Sequence, residues 1–369
     1  MPPSWVGLDV AADSLVACVL DEEGRVRAEQ SLTKCPTEVA RFIEANAPTS
    51  EPIIGIEAGG LATSLTRKLR DAGYRVHAFE TRQASRFLAI RQNKTDRNDA
   101  RGIAEIVRIG RGTVAEVYVK STECQQLRSK LALREKLVRH RMAGESAIGA
   151  VFRLNGGRLG PRHSAGSLRR TVMAELSRIQ IEESLDLSAD VMPVLDICES
   201  IRLHLEATDR ELLKFAREHS VCARFMQIPG VGFLTAISVL SAIEDPERFS
   251  QIEDVGAYFG LVPKIRQSGQ SSRHVGITRM GNKMTRTHLV AAASAMLRQK
   301  SADCDLKDWA VTLRERAGFR TARTALARKL ATVMVSMWKS GEPFQPRRRA
   351  GVARVSIAPC KMRKAPLTI

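Results

Sequence analysis

No cysteine pair of the CxxC kind occurs in this chain of 369 residues, and its seven cysteines are odd in number and scattered. That excludes a disulfide-framed domain and a cysteine zinc site, and it points to a reducing cytoplasm. The seven histidines (His77, His140, His163, His204, His219, His274 and His288) show neither an HExxH pattern nor paired ligand spacing, so no histidine metal site is expected. No apolar run is long enough to span a bilayer, and neither a lipidation motif nor a basic-then-apolar leader is present. A membrane partner is therefore not expected. Gly276 and Gly281 bracket a segment spaced like a phosphate-binding loop, but Asn282 stands where such a loop needs lysine.

What the chain does have is positive charge, unevenly placed. The formal net charge is +18. Residues 61–170 hold 24 Lys/Arg against 9 Asp/Glu, and residues 347–369 hold 7 basic side chains and no acid. Residues 1–60 are net acidic, with ten carboxylates against four basic groups. Concentrated positive charge draws a polyanion, because phosphate contacts release condensed counterions. The length exceeds one ordinary core, so two domains with connecting helices are expected.

Short apolar runs at 5–12, 14–20 and 25–32, joined by the turn Asp21-Glu22-Glu23-Gly24, predict three antiparallel strands. Helical spacing follows at 36–47, a strand at 53–57 halted by Gly59 and Gly60, a helix at 61–72 and a strand at 74–79. Thr95 is placed to cap a further helix with Ala100, Ile103 and Val107 as its apolar stripe. This is a mixed-sheet α/β layout. A long basic helix is predicted from about 123 to 148, a Gly/Arg/Pro-rich linker over 155–167, and mainly helix beyond it.

Asp9 falls mid-strand between Leu8 and Val10, and Glu57 ends a strand. Asp96 and Asp99, three apart, share one face of the capped helix. Half-buried carboxylates repel one another unless cations neutralise them. Two magnesium ions would do so, and would align the attacking and leaving oxygens of a phosphodiester. Taken singly, each acid has a plainer reading, Asp9 as a strand terminator and Asp96 and Asp99 as first-turn helix acids. The strand-borne Asp, strand-end Glu and helix-borne Asp pair resemble ribonuclease-H-like nucleases of the Holliday-resolvase type. More narrowly, Gly7-Leu8-Asp9-Val10, Ile56-Glu57-Ala58-Gly59-Gly60 and Lys94-Thr95-Asp96-Arg97-Asn98-Asp99-Ala100 resemble the DEDD insertion-sequence transposases, family one-ten with its one-one-one-one subgroup. That family more often has Thr where Gly59 or Gly60 stands.

In the C-terminal half, Pro229-Gly230-Val231-Gly232 precedes an apolar helix over 233–240. It reads either as a plain interhelix turn or as a helix-hairpin-helix-like device in which Gly230 and Gly232 aim backbone N–H groups at a DNA phosphate. Ser268 lies in a loop beside a glycine, among Lys264, Arg266, Arg273, Arg279, Lys283 and Arg286. Those cations suit either a serine nucleophile whose equatorial phosphoryl oxygens need stabilising, or a passive phosphate-holding loop. Ser271 and Ser272 are rivals for the role, and His274 is a candidate base. Gly260-Leu261-Val262-Pro263, then Ser268-Gly269, then the run from Gly276 to Asn282 and Arg286 again resemble the same transposases, whose catalytic serine falls on Ser268 by that match.

The resemblance, spanning roughly residues 5–297, implies a RuvC-like DEDD catalytic domain over 1–115, a basic helical, coiled-coil-like region over 116–219, and a serine transposase domain over 220–340. A basic tail disordered in isolation is expected over 341–369. It implies strand cleavage and exchange through a phosphoserine link, with magnesium (manganese as the alternative) at Asp9, Glu57, Asp96 and Asp99. Donor and target DNA are the implied substrates, a structured non-coding guide RNA the implied partner, a homodimer or homotetramer the assembly, and the bacterial nucleoid the place. An RNA partner also suits the long basic helix, since backbone and shape contacts suffice when base pairing reads sequence. The competing classes are a hydrolytic structure-selective nuclease, an actin-like kinase or ATPase, and a non-catalytic nucleic-acid binder.

Overall fold

The computed structural model describes residues 3–47, 51–89, 93–110, 112–160, 167–268, 271–298 and 301–347, with side chains left undescribed over 265–275. The chain divides into two units, residues 1–123 and 124–369. The expected disordered tail lies almost wholly outside the described residues.

In the first unit, β1 (Trp5–Val10), β2 (Leu15–Leu20) and β3 (Val26–Leu32) form an antiparallel meander. Then come α1 (Pro36–Asn46), β4 (Ile53–Glu57), α2 (Gly60–Asp71), β5 (Arg75–Phe79), α3 (Thr81–Leu88) and α4 (Asp96–Ile109). β4 joins β1 in parallel and β5 joins β4 in parallel, so the five-stranded sheet runs β3-β2-β1-β4-β5. The mixed sheet is as expected, and it agrees with a ribonuclease-H-like domain.

Strand alternation assigns the faces. Val6, Leu8, Ile54 and Ile56 pack with Val39, Phe42 and Ile43 of α1 and with Leu65 and Leu69 of α2. The intervening residues face α4, whose Ala100 and Ala104 join Val16, Cys18 and Leu20 in a second, smaller cluster. Gly7 permits that approach: a Cβ there would lie 2.0 Å from the Ala100 carbonyl oxygen and 2.4 Å from the Ala104 nitrogen. Gly55 is confined by side chains instead, a Cβ there lying 2.4 Å from a Val107 methyl. Because Gly7 meets helix backbone, which cannot swing aside, Gly7→Ala is expected to push α4 off the sheet. The overpacking should cost about 2–3 kcal/mol. A thermal melt checks this, and an unchanged midpoint would mean α4 has room to spare.

The second unit is mainly helical: α5 (Thr122–Leu154, its first two residues in the first unit), α6 (Ser167–Glu183), α7 (Ser188–Glu218), α8 (Ser220–Phe225), α9 (Phe233–Ile243) and α10 (Asp254–Tyr258). A two-stranded hairpin of β6 (Pro263–Ser268) and β7 (Ser271–Ile277) follows, then α11 (Lys283–Met296), α12 (Asp305–Ala317) and α13 (Phe319–Ser340). The segment expected as a basic loop around Ser268 is thus a hairpin. With few apolar residues in either strand, it lacks the alternation by which strands are recognised. The core of this unit gathers Phe225, Ile237, Phe259, Leu289, Leu326 and Leu330.

α5 and α7 run side by side, joined by Lys130 to Glu211, Arg134 to Asp209, and Arg202 to Glu145 at 3.1 Å. Lys130 and Arg134 of the long basic helix are thus met by acids of α7, while Arg139 and Arg141 pair with Glu135 and Glu145 of α5 itself. Lys136 and Arg153 remain exposed on it. The six described cysteines are free thiols, and no helix among the described residues is long and apolar enough to cross a membrane.

Candidate active site

Asp9 follows the last β1–β4 register pair, Leu8 with Ile56, and so falls beside Glu57. Both lie two residues beyond the glycines that admit α4, on the same sheet face as Gly7 and Gly55. Facing them is the first turn of α4. Thr95 caps that helix, its Oγ1 accepting from the Asn98 N–H at 3.2 Å, and Asn98 Nδ2 donates to the Asn93 carbonyl at 2.9 Å. The cap fixes where α4 begins, and thereby where Asp96 and Asp99 stand.

The electrostatics register this convergence. Burial, then the charges of Asp99, Asp96 and Glu57, push the Asp9 carboxyl from its ordinary 3.8 up to about 6, against the pull of Lys94. Glu57 is raised by burial and by Asp99, with Lys94 opposing and Glu80 adding to the rise. Four carboxylates spread from position 9 to position 99 thus share one electrostatic neighbourhood. Among the described residues, no three acidic, histidine or cysteine side chains form a ready-made coordination shell. An all-oxygen donor set in mutual repulsion fits a hard divalent cation.

Two participants had no signal of this kind in the sequence. Lys94 is the cation that reaches both Asp9 and Glu57. Glu80 immediately follows β5, the neighbour of β4, and caps α3 by accepting from the Gln83 N–H at 2.9 Å. Lys94 stands in the quoted motif and could have been singled out there; Glu80 required the strand order.

In the second unit Ser268 ends β6, in register with Ser271. Its side chain and those of Arg266 and Arg273 lie outside the described residues. Lys264 is exposed at the start of β6. The segment after β7 is a clasp. Thr278 N–H donates to the Val262 carbonyl at 2.9 Å, and Arg279, at φ 56°, donates to the Gly260 carbonyl at 3.1 Å. Gly281 passes so close that a Cβ would lie 2.0 Å from the Tyr258 oxygen. Asn282 caps α11 by accepting from the Thr285 N–H at 3.1 Å. Arg286 Nη1 donates to the carbonyls of Phe259 and Met280, each at 2.9 Å. Arg286 therefore ties the base of the hairpin.

This geometry makes a prediction. Arg286→Lys removes the Nη1 group that donates to both carbonyls, and should destabilise the protein by about 2 kcal/mol. Non-covalent DNA affinity should change little. Calorimetry paired with a binding titration checks it; weaker DNA binding at unaltered stability would return Arg286 to the role of phosphate contact.

Gly230 and Gly232 separate. A Cβ on Gly230 would lie 2.6 Å from the Ala292 carbonyl oxygen of α11, so that glycine serves helix packing. Gly232 is the N-cap of α9 and has open space around its Cβ position.

A mixed sheet with α4 laid across it and acids on β1, β4 and α4 defines a ribonuclease-H-like catalytic domain of the DEDD class. Comparison with known proteins gives the family. Residues 6–153 match a family described as Transposase, of the DEDD type, and residues 222–306 match the Transposase IS116/IS110/IS902 family. The two stretches together cover more than half of the chain, which belongs to these insertion-sequence transposases. Similar proteins include the transposase for insertion sequence element IS1111A of Coxiella burnetii, 29% identical over 92% of this chain and 91% of that protein. A probable family 20 transposase of Pseudomonas aeruginosa is 25% identical over 93% of this chain and 99% of its own length. The transposase for element IS1328 of Yersinia enterocolitica is 24% identical over 92% and 98%. The protein is thus an enzyme acting on DNA, of a class that generally uses divalent metal.

Proposed function

We propose that the enzyme cuts and rejoins DNA through a phosphoserine link at Ser268, with Asp9, Glu57, Asp96 and Asp99 holding magnesium, or manganese, beside the reacting phosphate. The observation that carries this reading is the placement of Asp9 and Glu57 on one sheet face, opposite the first turn of α4. A divalent ion there supplies Lewis-acid stabilisation of the phosphoryl oxygens. The serine Oγ–P bond forms as the bond from phosphorus to the leaving sugar oxygen breaks; the hydroxyl proton passes to a base and the leaving oxygen gains one. The second strand reverses the step, so the phosphodiester energy is kept. Carboxylates and serine act together within one subunit or across a dimer or tetramer. Lys264, Arg266, Arg273, Arg279 and Lys283 supply cations for DNA phosphates, and the Gly232 helix start supplies N–H groups.

A structured RNA that specifies donor and target by base pairing is the proposed guide. The net charge of +18 supports a polyanion beyond the DNA, held by backbone and shape contacts. The deciding experiment incubates purified protein, RNA transcribed from the DNA flanking its gene, magnesium and labelled DNA, and resolves the products under denaturing conditions. Protein-linked DNA whose protease-trimmed peptide carries phosphate on Ser268 is expected. Cut DNA with no linked protein would favour the hydrolytic nuclease instead.

A further inference from the structure

The helical pair α12–α13 lies almost wholly beyond the second matched stretch, which ends at residue 306, and nothing above gives it a task. Its residues are unusual for a solvent face. Trp309 on α12 is 38% exposed and Phe319, the first residue of α13, 45%. Each ring carries a cation: Lys329 Nζ stands 4.2 Å from the Trp309 centroid, and the Arg323 guanidinium 5.6 Å from that of Phe319. Between the rings, residues 314–320 form an unbroken exposed stretch at the turn between the helices. Arg314, Arg316 and Arg320 within it make no ion pair among the described residues. From 314 to 329 there are six basic residues and one acid, Glu315.

We infer that α12–α13 is a docking surface for unpaired DNA, with Trp309 and Phe319 as base-stacking platforms and the surrounding arginines as phosphate contacts. A solvent-facing patch of net positive charge repels another basic chain and attracts a polyanion. Exposed aromatic faces add what a duplex cannot use, because its bases are already stacked; an open strand presents its π-faces. The lengths agree. α12 rises roughly 12 Å between Trp309 and the turn, the span of a few nucleotides at 3.4 Å or more each. Strand exchange by a transposase opens duplex DNA, so the occupant is an unpaired DNA strand produced by the enzyme's own reaction.

The test uses the full chain and an oligothymidylate of about twelve nucleotides. Binding should quench tryptophan emission in the wild type and much less in Trp309→Phe. Trp309→Ala and Phe319→Ala should each weaken oligothymidylate binding roughly 5- to 50-fold. Duplex DNA of the same length should lose about twofold or less, since phosphate contacts alone hold it. Replacing Arg314, Arg316 and Arg320 together by glutamine should lower the salt slope by about 2, at 0.7 per single-strand phosphate contact. Should Trp309→Ala fail to fold, Phe319→Ala at the exposed helix start carries the test. Unchanged oligothymidylate affinity in Phe319→Ala overturns the inference. So does an equal loss on duplex DNA, or a larger loss on oligouridylate, which would make the surface a site for RNA.

Discussion

Ser268→Ala is expected to abolish protein-linked DNA while non-covalent DNA affinity stays within a few-fold, since one neutral hydrogen bond contributes about 1 kcal/mol. The reasoning is chemical. If Oγ is the atom that bonds phosphorus, no neighbouring group can substitute for it, and the loss is total. If the carboxylates alone cut DNA by activating water, the same variant keeps cutting at its former rate. Ser271 and Ser272 belong to β7, the other strand of the hairpin, with Ser271 in register with Ser268 and Ser272 with Gln267. Ser271→Ala and Ser272→Ala are accordingly expected to retain the covalent product. Its disappearance in either of them, and persistence in Ser268→Ala, would move the nucleophile.

Asp9→Asn should lower strand exchange on the order of a thousandfold, the several kcal/mol of transition-state stabilisation that a metal centre provides. The fold should not suffer; without metal it should gain. The Asp9 carboxyl is raised from 3.8 to about 6 by burial and three neighbouring acids, so at neutral pH its charge opposes folding. The full shift corresponds to about 3 kcal/mol, which half-exposure and solvent screening reduce to about 1 kcal/mol. The sign follows. In chelator, the wild type should gain stability as pH falls from about 6 towards 4, as Asp9 takes up its proton in the folded state first. Asp9→Asn should lack that gain and melt a few degrees higher at pH 7. Magnesium should raise the wild-type melting point but not that of the variant, with an effect that weakens as pH drops through about 6. A variant that melts lower in chelator and still responds to magnesium would remove Asp9 from the metal site.

Much of the first unit was legible because its signals are short-range. Alternating apolar runs gave strands within two residues of those at β1, β2, β3, β4 and β5, and Thr95 caps α4 as its side chain and position led one to expect. The hairpin of β6 and β7 was not legible, because residues 263–277 carry too few apolar side chains for period two to appear. Nor was the fate of individual cations. The long basic helix read as suited to an RNA partner without saying which of its cations are available, and α7 supplies Glu211 and Asp209 to meet Lys130 and Arg134. Gly230 read equally as part of a plain interhelix turn or as backbone aimed at phosphate, and the close approach of α11 requires a glycine there in either case.

By itself the sequence determined the five strands and most helices of the first unit, the acids on them, and the family those motifs define, because periodicity, capping and motif spacing act over a few residues. Only the tertiary structure decided that Asp9 and Glu57 share the face covered by α4, that Lys94 and Glu80 join their electrostatic field, and that Arg286 is spent on two carbonyls at the hairpin base. These outcomes depend on strand order, on register and on glycines small enough to let backbones touch. Such facts join residues tens of positions apart, beyond the reach of any local pattern.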